Sequence, residues 1–305
     1  MLVMATSDKG GTGRSVTSCN LAYQAALMGK NVCYLDFDFG SPTAGTVFSV
    51  ETVARGTPHG GLHAYLRGTV DQAERVDVWR LSERQAIRNR PETAGELVLM
   101  PGDIDGGEFE STPDIVLRCV DLFLSLESEY DVIFVDLSAG RSHATQIVLE
   151  ALTMPAFDTV DFRWLVYHRW TKQHIIAAEG LVYGGYGLIK TGTTLGHDEQ
   201  RLHDSIRFVR TAVVYPDSDS LAGLTAPQVA WLHVCNDELH ELAGSLRVGR
   251  TRMVGEIPLD PVLQWQEQIL TSTDTRKRHI ANLETVRAFI ALCDQLLNVE
   301  EWAAL

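Results

Sequence analysis

The segment Ser7-Asp8-Lys9-Gly10-Gly11-Thr12-Gly13-Arg14-Ser15 decides how the rest of this 305-residue sequence is interpreted. An apolar run, 1–5, precedes it, and a helix-like stretch, 16–28, follows it. A strand, a glycine-rich turn and a helix in this order form a phosphate-binding loop, where backbone N–H groups and the helix dipole favour an anion. Its glycines let the main chain approach phosphate oxygens, because no Cβ blocks the approach. The segment therefore predicts a nucleotide-binding α/β protein.

The loop departs from the usual phosphate-loop pattern, Gly-x-x-x-x-Gly-Lys-Ser/Thr, at two positions. Asp8 stands at the first glycine and Arg14 stands where lysine is expected, while a lysine occurs at the front of the loop as Lys9. Ser15 keeps the hydroxyl that reaches Mg²⁺ in such loops. A glycine-rich turn without a ligand is the alternative, and the strand–loop–helix context makes it the weaker interpretation.

Composition sets broader limits. With 45% hydrophobic and 22% charged residues, the chain can form a large α/β core. Its five cysteines are dispersed and form no Cys-x-x-Cys pair, so we expect a reducing cytoplasmic location and no zinc site. No apolar run reaches the ~18 residues that span a bilayer. The net charge of −14 does not indicate DNA binding, and we interpret the densest basic run, Arg276-Lys277-Arg278, as a solvated surface.

Two further apolar runs end in carboxylates. Residues 31–38 end with Asp36 and Asp38, and residues 130–136 end with Asp136. Continuous apolarity is typical of parallel strands that are buried on both faces, and open α/β sheets bind ligands at the carboxyl ends of such strands. Acids there can hold a metal ion or orient a water, although capping of the following loop would also explain the first pair.

The pattern Lys9-Gly10-Gly11-Thr12-Gly13-x-Ser15 resembles the deviant Walker A loop of the ParA/MinD family of ATPases, which reads KGGxGK[ST]. The pair Asp36/Asp38 resembles the family's switch I, the strand ending in Asp136 its Walker B strand, and Ile257-Pro258 a late family segment. The resemblance implies a P-loop NTPase fold: a doubly wound, mostly parallel sheet with helices on both faces.

It also implies a set of site residues. The implied nucleotide-binding residues are Lys9, Gly10, Gly11, Thr12, Gly13, Arg14, Ser15, Val16, Gly140, Asn236 and Pro258. The implied Mg²⁺ ligands are Ser15, Asp36 and Asp136. Lys9 would reach the phosphates of a partner subunit and Asp38 would position the attacking water, as catalytic residues. The N–H of Gly140 would sense the γ-phosphate, and Asn236, at the end of an expected strand at 229–236, would read the adenine of ATP.

We expect one domain over residues 1–305, with a family-atypical insertion at about 184–227 that contains a helix near 198–213 and binds a partner. A late amphipathic helix at 281–297 should dock on the sheet. The final residues, 299–305, are acidic, so anionic lipid would repel them and no membrane anchor is expected.

These features predict an ATP-dependent dimerisation switch, a homodimer that positions or regulates a cellular cargo and hydrolyses ATP slowly with Mg²⁺. A protein partner of unknown identity is implied. The alternative is a nucleotide-binding scaffold with little or no hydrolysis, because Arg14 replaces a compact ammonium by a wide planar fork. A ligase of the amidotransferase or biotin-synthesis type would need a substrate pocket that the sequence does not show.

Overall fold

A computed structural model describes residues 1–215 and 223–304. The strands are β1 (Leu2–Thr6), β2 (Val32–Phe37), β3 (Val76–Asp77), β4 (Leu97–Met100), β5 (Val132–Leu137), β6 (Phe162–Arg169), β7 (Ile206–Val213) and β8 (Met253–Pro258). They form one eight-stranded sheet in the order β3-β4-β2-β5-β1-β6-β7-β8. All neighbouring pairs are parallel except β3 with β4. The mostly parallel sheet is therefore confirmed.

Fifteen helices are present in the described part of the chain. They are α1 (Arg14–Leu27), α2 (Ala44–Val47), α3 (Leu62–Leu66), α4 (Val78–Leu81), α5 (Gln85–Arg88), α6 (Pro113–Glu129), α7 (His143–Ala151), α8 (Lys172–Tyr183), α9 (Leu188–Leu195), α10 (Glu199–Ser205), α11 (Ala226–Ser245), α12 (Pro261–Trp265), α13 (Ser272–Arg276), α14 (Leu283–Leu297) and α15 (Val299–Ala304). None of them combines the length and the apolarity that a bilayer-crossing segment needs.

The core has two layers, one on each face of the sheet. Along β1, Leu2 and Met4 join a cluster with the apolar sides of α6, α7 and α8. The alternate residues, Val3 and Ala5, join a second cluster with α1 and α14. Because successive strand side chains point to opposite faces, a run of consecutive apolar residues serves both layers. The prediction of helices on both faces is confirmed.

Several element predictions can be compared with the structure. The helix expected at 281–297 is α14, which packs against β8 and α1. The strand expected at 229–236 is wrong, because these residues lie within α11. Thr225 and Gln228 form a capping box that begins α11. Apolar residues then continue at helical spacing, with Leu239 and Leu242 packed against the core.

The helix expected at 198–213 is only partly correct. Residues 199–205 are α10, but residues 206–213 are β7, which pairs with β6 and β8 inside the sheet. This part of the predicted insertion at 184–227 is therefore a core strand and not a surface addition. Residues 216–222 of that stretch lie outside the described residues. The single-domain interpretation stays a prediction.

Candidate functional site

The predicted phosphate loop connects β1 to α1. Gly11 and Gly13 have φ angles of 71° and 75°, a conformation that L residues with a Cβ rarely adopt. A Cβ added at Gly10 or Gly11 would meet no atom within 4 Å, so the space beside the loop is open to a ligand. From β7, Thr211 Oγ1 donates a 2.5 Å hydrogen bond to the carbonyl oxygen of Thr12. The loop conformation thus depends on glycine and on a distant strand.

A cavity of about 520 Å³ lies against this loop, a volume within the usual range for small-molecule sites. The loop and α1 supply Gly11, Thr12, Gly13, Val16 and Thr17 to its lining. The ends of β7 and β8 and the α12 region supply the opposite side, including Thr211, Ala212, Ile257, Pro258 and Trp265. The predicted residues Val16 and Pro258 therefore face the same cavity as the loop glycines. Thr211 was missed because its strand, β7, was interpreted as a helix, and Trp265, at the end of α12, was missed because it belongs to no motif.

Asn236 does not line this cavity. It lies on α11 beside another cavity of about 420 Å³, and its Oδ1 accepts a 2.7 Å hydrogen bond from Trp170 Nε1. The adenine-reading role rested on a strand that the structure does not contain. That prediction is corrected accordingly: Asn236 and Pro258 belong to different cavities.

Arg14 makes the central contacts of the site. Its Nε donates to Asp136 Oδ1 at 2.5 Å, and its Nη2 donates to Asp38 Oδ2 at 2.7 Å. Nη2 also lies 3.3 Å from Ser15 Oγ. Arg14 and Asp136 are only 7% and 1% exposed, whereas Asp38 is 23% exposed. The residue at the lysine position of the loop therefore holds two strand-end carboxylates together.

The electrostatics follow from this burial. Desolvation alone would lower the pKa of Arg14, but the charges of Asp136 and Asp38 outweigh it and raise the pKa above the usual value. Asp36 pairs in register with Asp136 across β2 and β5. Burial, together with the charge of Asp136, raises the pKa of Asp36 well above its usual range. The cluster thus favours a charged Arg14 and a neutral Asp36.

The predicted Mg²⁺ ligands do not fit a metal ion in this arrangement. Both oxygens of Asp136 are engaged, one by Arg14 and the other by Tyr34 Oη at 2.9 Å. Asp36 Oδ2 accepts from the backbone N–H of Ala44, and its buried Oδ1 has no partner. Within residues 1–215 and 223–304, no three His, Cys, Asp or Glu side chains lie close enough together to hold a metal ion. The residue types suit Mg²⁺, but the guanidinium of Arg14 already contacts two of them, Ser15 and Asp136.

Two other predicted residues lie at the front of the loop. Lys9 is partly exposed, and its charge adds to the effect of burial in lowering the pKa of His174 on α8. The N–H of Gly140 donates a 2.7 Å hydrogen bond to the carbonyl oxygen of Ser7. In this conformation that N–H is therefore not available to a γ-phosphate, contrary to the prediction. It instead ties the segment after β5 to the phosphate loop.

Comparison with known proteins identifies the family and agrees with the fold. The profile of the CobQ/CobB/MinD/ParA nucleotide-binding domain matches residues 3–287. The septum site-determining protein MinD of Bacillus subtilis (strain 168) is 28% identical over 138 residues, and this match spans 45% of each protein. The chain thus matches less than half of the length of that relative.

Solved structures also share the fold, and two of them serve as examples. A chain of the MinC:MinD cell division protein complex of Aquifex aeolicus has a TM-score of 0.60 at 17% identity, and the match covers 97% of this chain and 95% of that one. MinD of Pyrococcus horikoshii OT3, complexed with Mg-ADP, has a TM-score of 0.56 at 16% identity, with 97% and 96% covered. Because the family profile covers nearly the whole sequence, this chain belongs to the CobQ/CobB/MinD/ParA nucleotide-binding domain family.

Proposed function

We propose that this chain binds ATP in the cavity beside its phosphate loop and that the nucleotide controls the pairing of two copies of the chain. The observation that carries the proposal is the loop of positive-φ glycines facing a cavity of about 520 Å³ at the carboxyl edge of the sheet. Parallel sheets of this type bind their ligands at that edge. The Mg-ADP complex of the Pyrococcus horikoshii relative supports the choice of nucleotide.

Lys9 is the residue through which a second copy would be sensed. It lies at the front of the loop, is partly exposed, and makes no ion pair with any described carboxylate. Its ammonium can therefore donate to phosphate oxygens held by another subunit. The pair would be a cytoplasmic homodimer that holds a protein partner or cargo while triphosphate is bound.

Slow hydrolysis would release the pair. The oxygen of a water bonds to the γ-phosphorus, the bond to the β–γ bridging oxygen breaks, and the water gives up a proton. Asp38 is the carboxylate closest to the solvent in the Arg14 cluster and is the proposed acceptor. Since Arg14 already engages Asp38 Oδ2, we expect turnover to be slow.

Light scattering coupled to size exclusion tests the switch with ATP, with ADP and without nucleotide. We expect the natural chain to double its mass in ATP but not in ADP or without nucleotide. We expect Lys9→Ala to stay monomeric while it still binds ATP. Lys30→Ala removes another exposed lysine and is the matched control, which should behave as the natural chain does. An unchanged mass of the natural chain under all three conditions would refute the dimerisation switch.

The 2.7 Å contact between Arg14 and Asp38 favours a second candidate, a scaffold that binds ATP but scarcely turns it over. Phosphate release at saturating ATP distinguishes the two, with Arg14→Lys as the comparison. If the natural chain releases no phosphate and Arg14→Lys does, the scaffold is supported. Release by the natural chain at the rate of Arg14→Lys would eliminate it.

A further inference from the structure

The five N–H groups of the Arg14 guanidinium divide into two sets. Nε donates to Asp136, and the two N–H groups of Nη2 serve Asp38 and Ser15. The remaining nitrogen, Nη1, donates to no residue in the described ranges and is not among the fully buried atoms. Its two N–H groups therefore have no protein partner among the described residues.

These contacts are the ones a divalent cation would make. A metal ion at such a site bridges a loop hydroxyl, strand-end carboxylates and phosphate oxygens. Arg14 contacts the hydroxyl of Ser15 and the carboxylates of Asp38 and Asp136. It leaves the two N–H groups of Nη1 without a protein partner, in the plane of the same rigid fork.

A metal ion would compete with this arrangement. Each oxygen of Asp136 already accepts a hydrogen bond, one from Arg14 Nε and one from Tyr34 Oη, and Tyr34 Oη lies 2.7 Å from Ser18 Oγ in turn. A dication beside Arg14 would also face a like charge, and the three positive charges of the pair would exceed the two negative charges of Asp136 and Asp38 before a nucleotide binds. The contacts of Arg14 with Asp136, Asp38 and Ser15 thus form without a metal.

We propose that the guanidinium of Arg14 takes the place of a divalent cation in this site, so that a nucleoside triphosphate binds to loop 7–15 without Mg²⁺. This inference rests on the proposed nucleotide-binding function, which it makes more specific. Arg14 bridges the two strand-end carboxylates and the phosphates, and a lysine at the same position lacks the fork needed for all three.

Isothermal titration of the full chain with ATP tests the inference, once with Mg²⁺ and once with excess EDTA. For the natural chain we expect the two dissociation constants to agree within about threefold, a difference smaller than one hydrogen bond provides. For Arg14→Lys we expect binding in EDTA to be weaker than in Mg²⁺ by about tenfold or more, the loss of one charge-assisted contact. Arg75→Lys alters an exposed arginine far from the loop in sequence and should keep the natural behaviour.

The outcomes are distinguishable. Binding of ATP by the natural chain only with Mg²⁺ would overturn the inference and leave the proposed function standing. Equal binding in EDTA by the natural chain and by Arg14→Lys would show that Arg14 is not the substituting cation. No binding under either condition would refute the proposed function together with the inference. The titrations of the natural chain decide whether Mg²⁺ is needed for binding even if Arg14→Lys fails to fold.

Discussion

Replacing Arg14 by Met should destabilise the protein strongly at neutral pH. The substitution keeps a long apolar stem but removes the charge that lies 2.5 Å from Asp136 and 2.7 Å from Asp38. Removing one partner of a buried ion pair leaves an uncompensated charge and costs about 3–5 kcal/mol. Because Asp136 is only 1% exposed, we expect Arg14→Met to lose an amount in this range. Urea unfolding followed by circular dichroism measures it.

The free energy of unfolding that Arg14→Met loses should depend on pH. Without Arg14, burial keeps the pKa of Asp136 above its usual value, and only hydrogen bonds such as that from Tyr34 oppose it. A carboxyl whose folded pKa is raised binds more protons folded than unfolded, so its destabilising charge disappears as the pH falls. The difference between natural and variant chains should therefore shrink between pH 7 and pH 5, by at most about 1.4 kcal/mol per pH unit.

Two controls make this prediction sharp. Arg75→Met removes an ion pair of the same length, 2.5 Å to Glu129, in which both side chains are 40% exposed. Exposed pairs contribute about 0–1 kcal/mol, so this control should change stability little. The double variant Arg14→Met/Asp136→Asn should regain part of the loss. The reasoning fails if Arg14→Met costs no more than Arg75→Met, or if its cost is the same at pH 7 and pH 5.

Four further outcomes are expected. Burial lowers the pKa of His168 to about 4, so the unfolded chain binds a proton at this residue at a higher pH than the folded chain does. Between pH 6.5 and pH 4, the free energy of unfolding should therefore fall by about 3 kcal/mol more in the natural chain than in His168→Gln. Unfolding experiments at each pH measure this difference. Thr211→Val removes the hydrogen bond to the loop carbonyl and should weaken ATP binding about fivefold in calorimetry. Asn236→Ala should leave that affinity unchanged, since it lies outside the loop cavity, and a weakening like that of Thr211→Val would restore Asn236 to the site. Trp302→Ala removes a ring under two guanidinium groups and should lower the free energy of unfolding by about 3 kcal/mol, and a loss below about 1 kcal/mol would contradict this packing.

The loop and the carboxylate cluster could be predicted from the sequence because both depend on local rules. Glycines at fixed spacing specify the turn, and acids that end parallel strands meet at one edge of the sheet. In the observed register of β2 and β5, Asp36 lies opposite Asp136. What could not be predicted is the direction taken by the side chain of Arg14, because its partners lie 24 and 122 residues away.

The strand β7 was missed for a similar reason. It contains the buried arginines Arg207 and Arg210, which make the segment resemble a polar helix face. Arg210 is accommodated by Glu256 at 2.8 Å and by the ring of Trp170 at 3.8 Å, while Arg207 donates to the Trp302 carbonyl. Arg207 also donates to the nearby carbonyls of Asp204 and Ile206, but the side chains that contact the two arginines are distant in sequence, so the strand's pattern alone does not show that its charges are satisfied. The start of α11, by contrast, is indicated by neighbouring residues, because Thr225 and Gln228 form a capping box.

The ion pairs of Arg14 connect stability and turnover in one group of atoms. The guanidinium stabilises the fold by compensating Asp136, yet the same fork takes an oxygen of Asp38 that a reacting water would need. Arg14→Lys keeps a positive charge but cannot reach both carboxylates in the same geometry. It should therefore unfold more easily than the natural chain and release phosphate faster. If stability and the rate of phosphate release both rise, or both fall, in Arg14→Lys, then Asp38 is not restrained by Arg14.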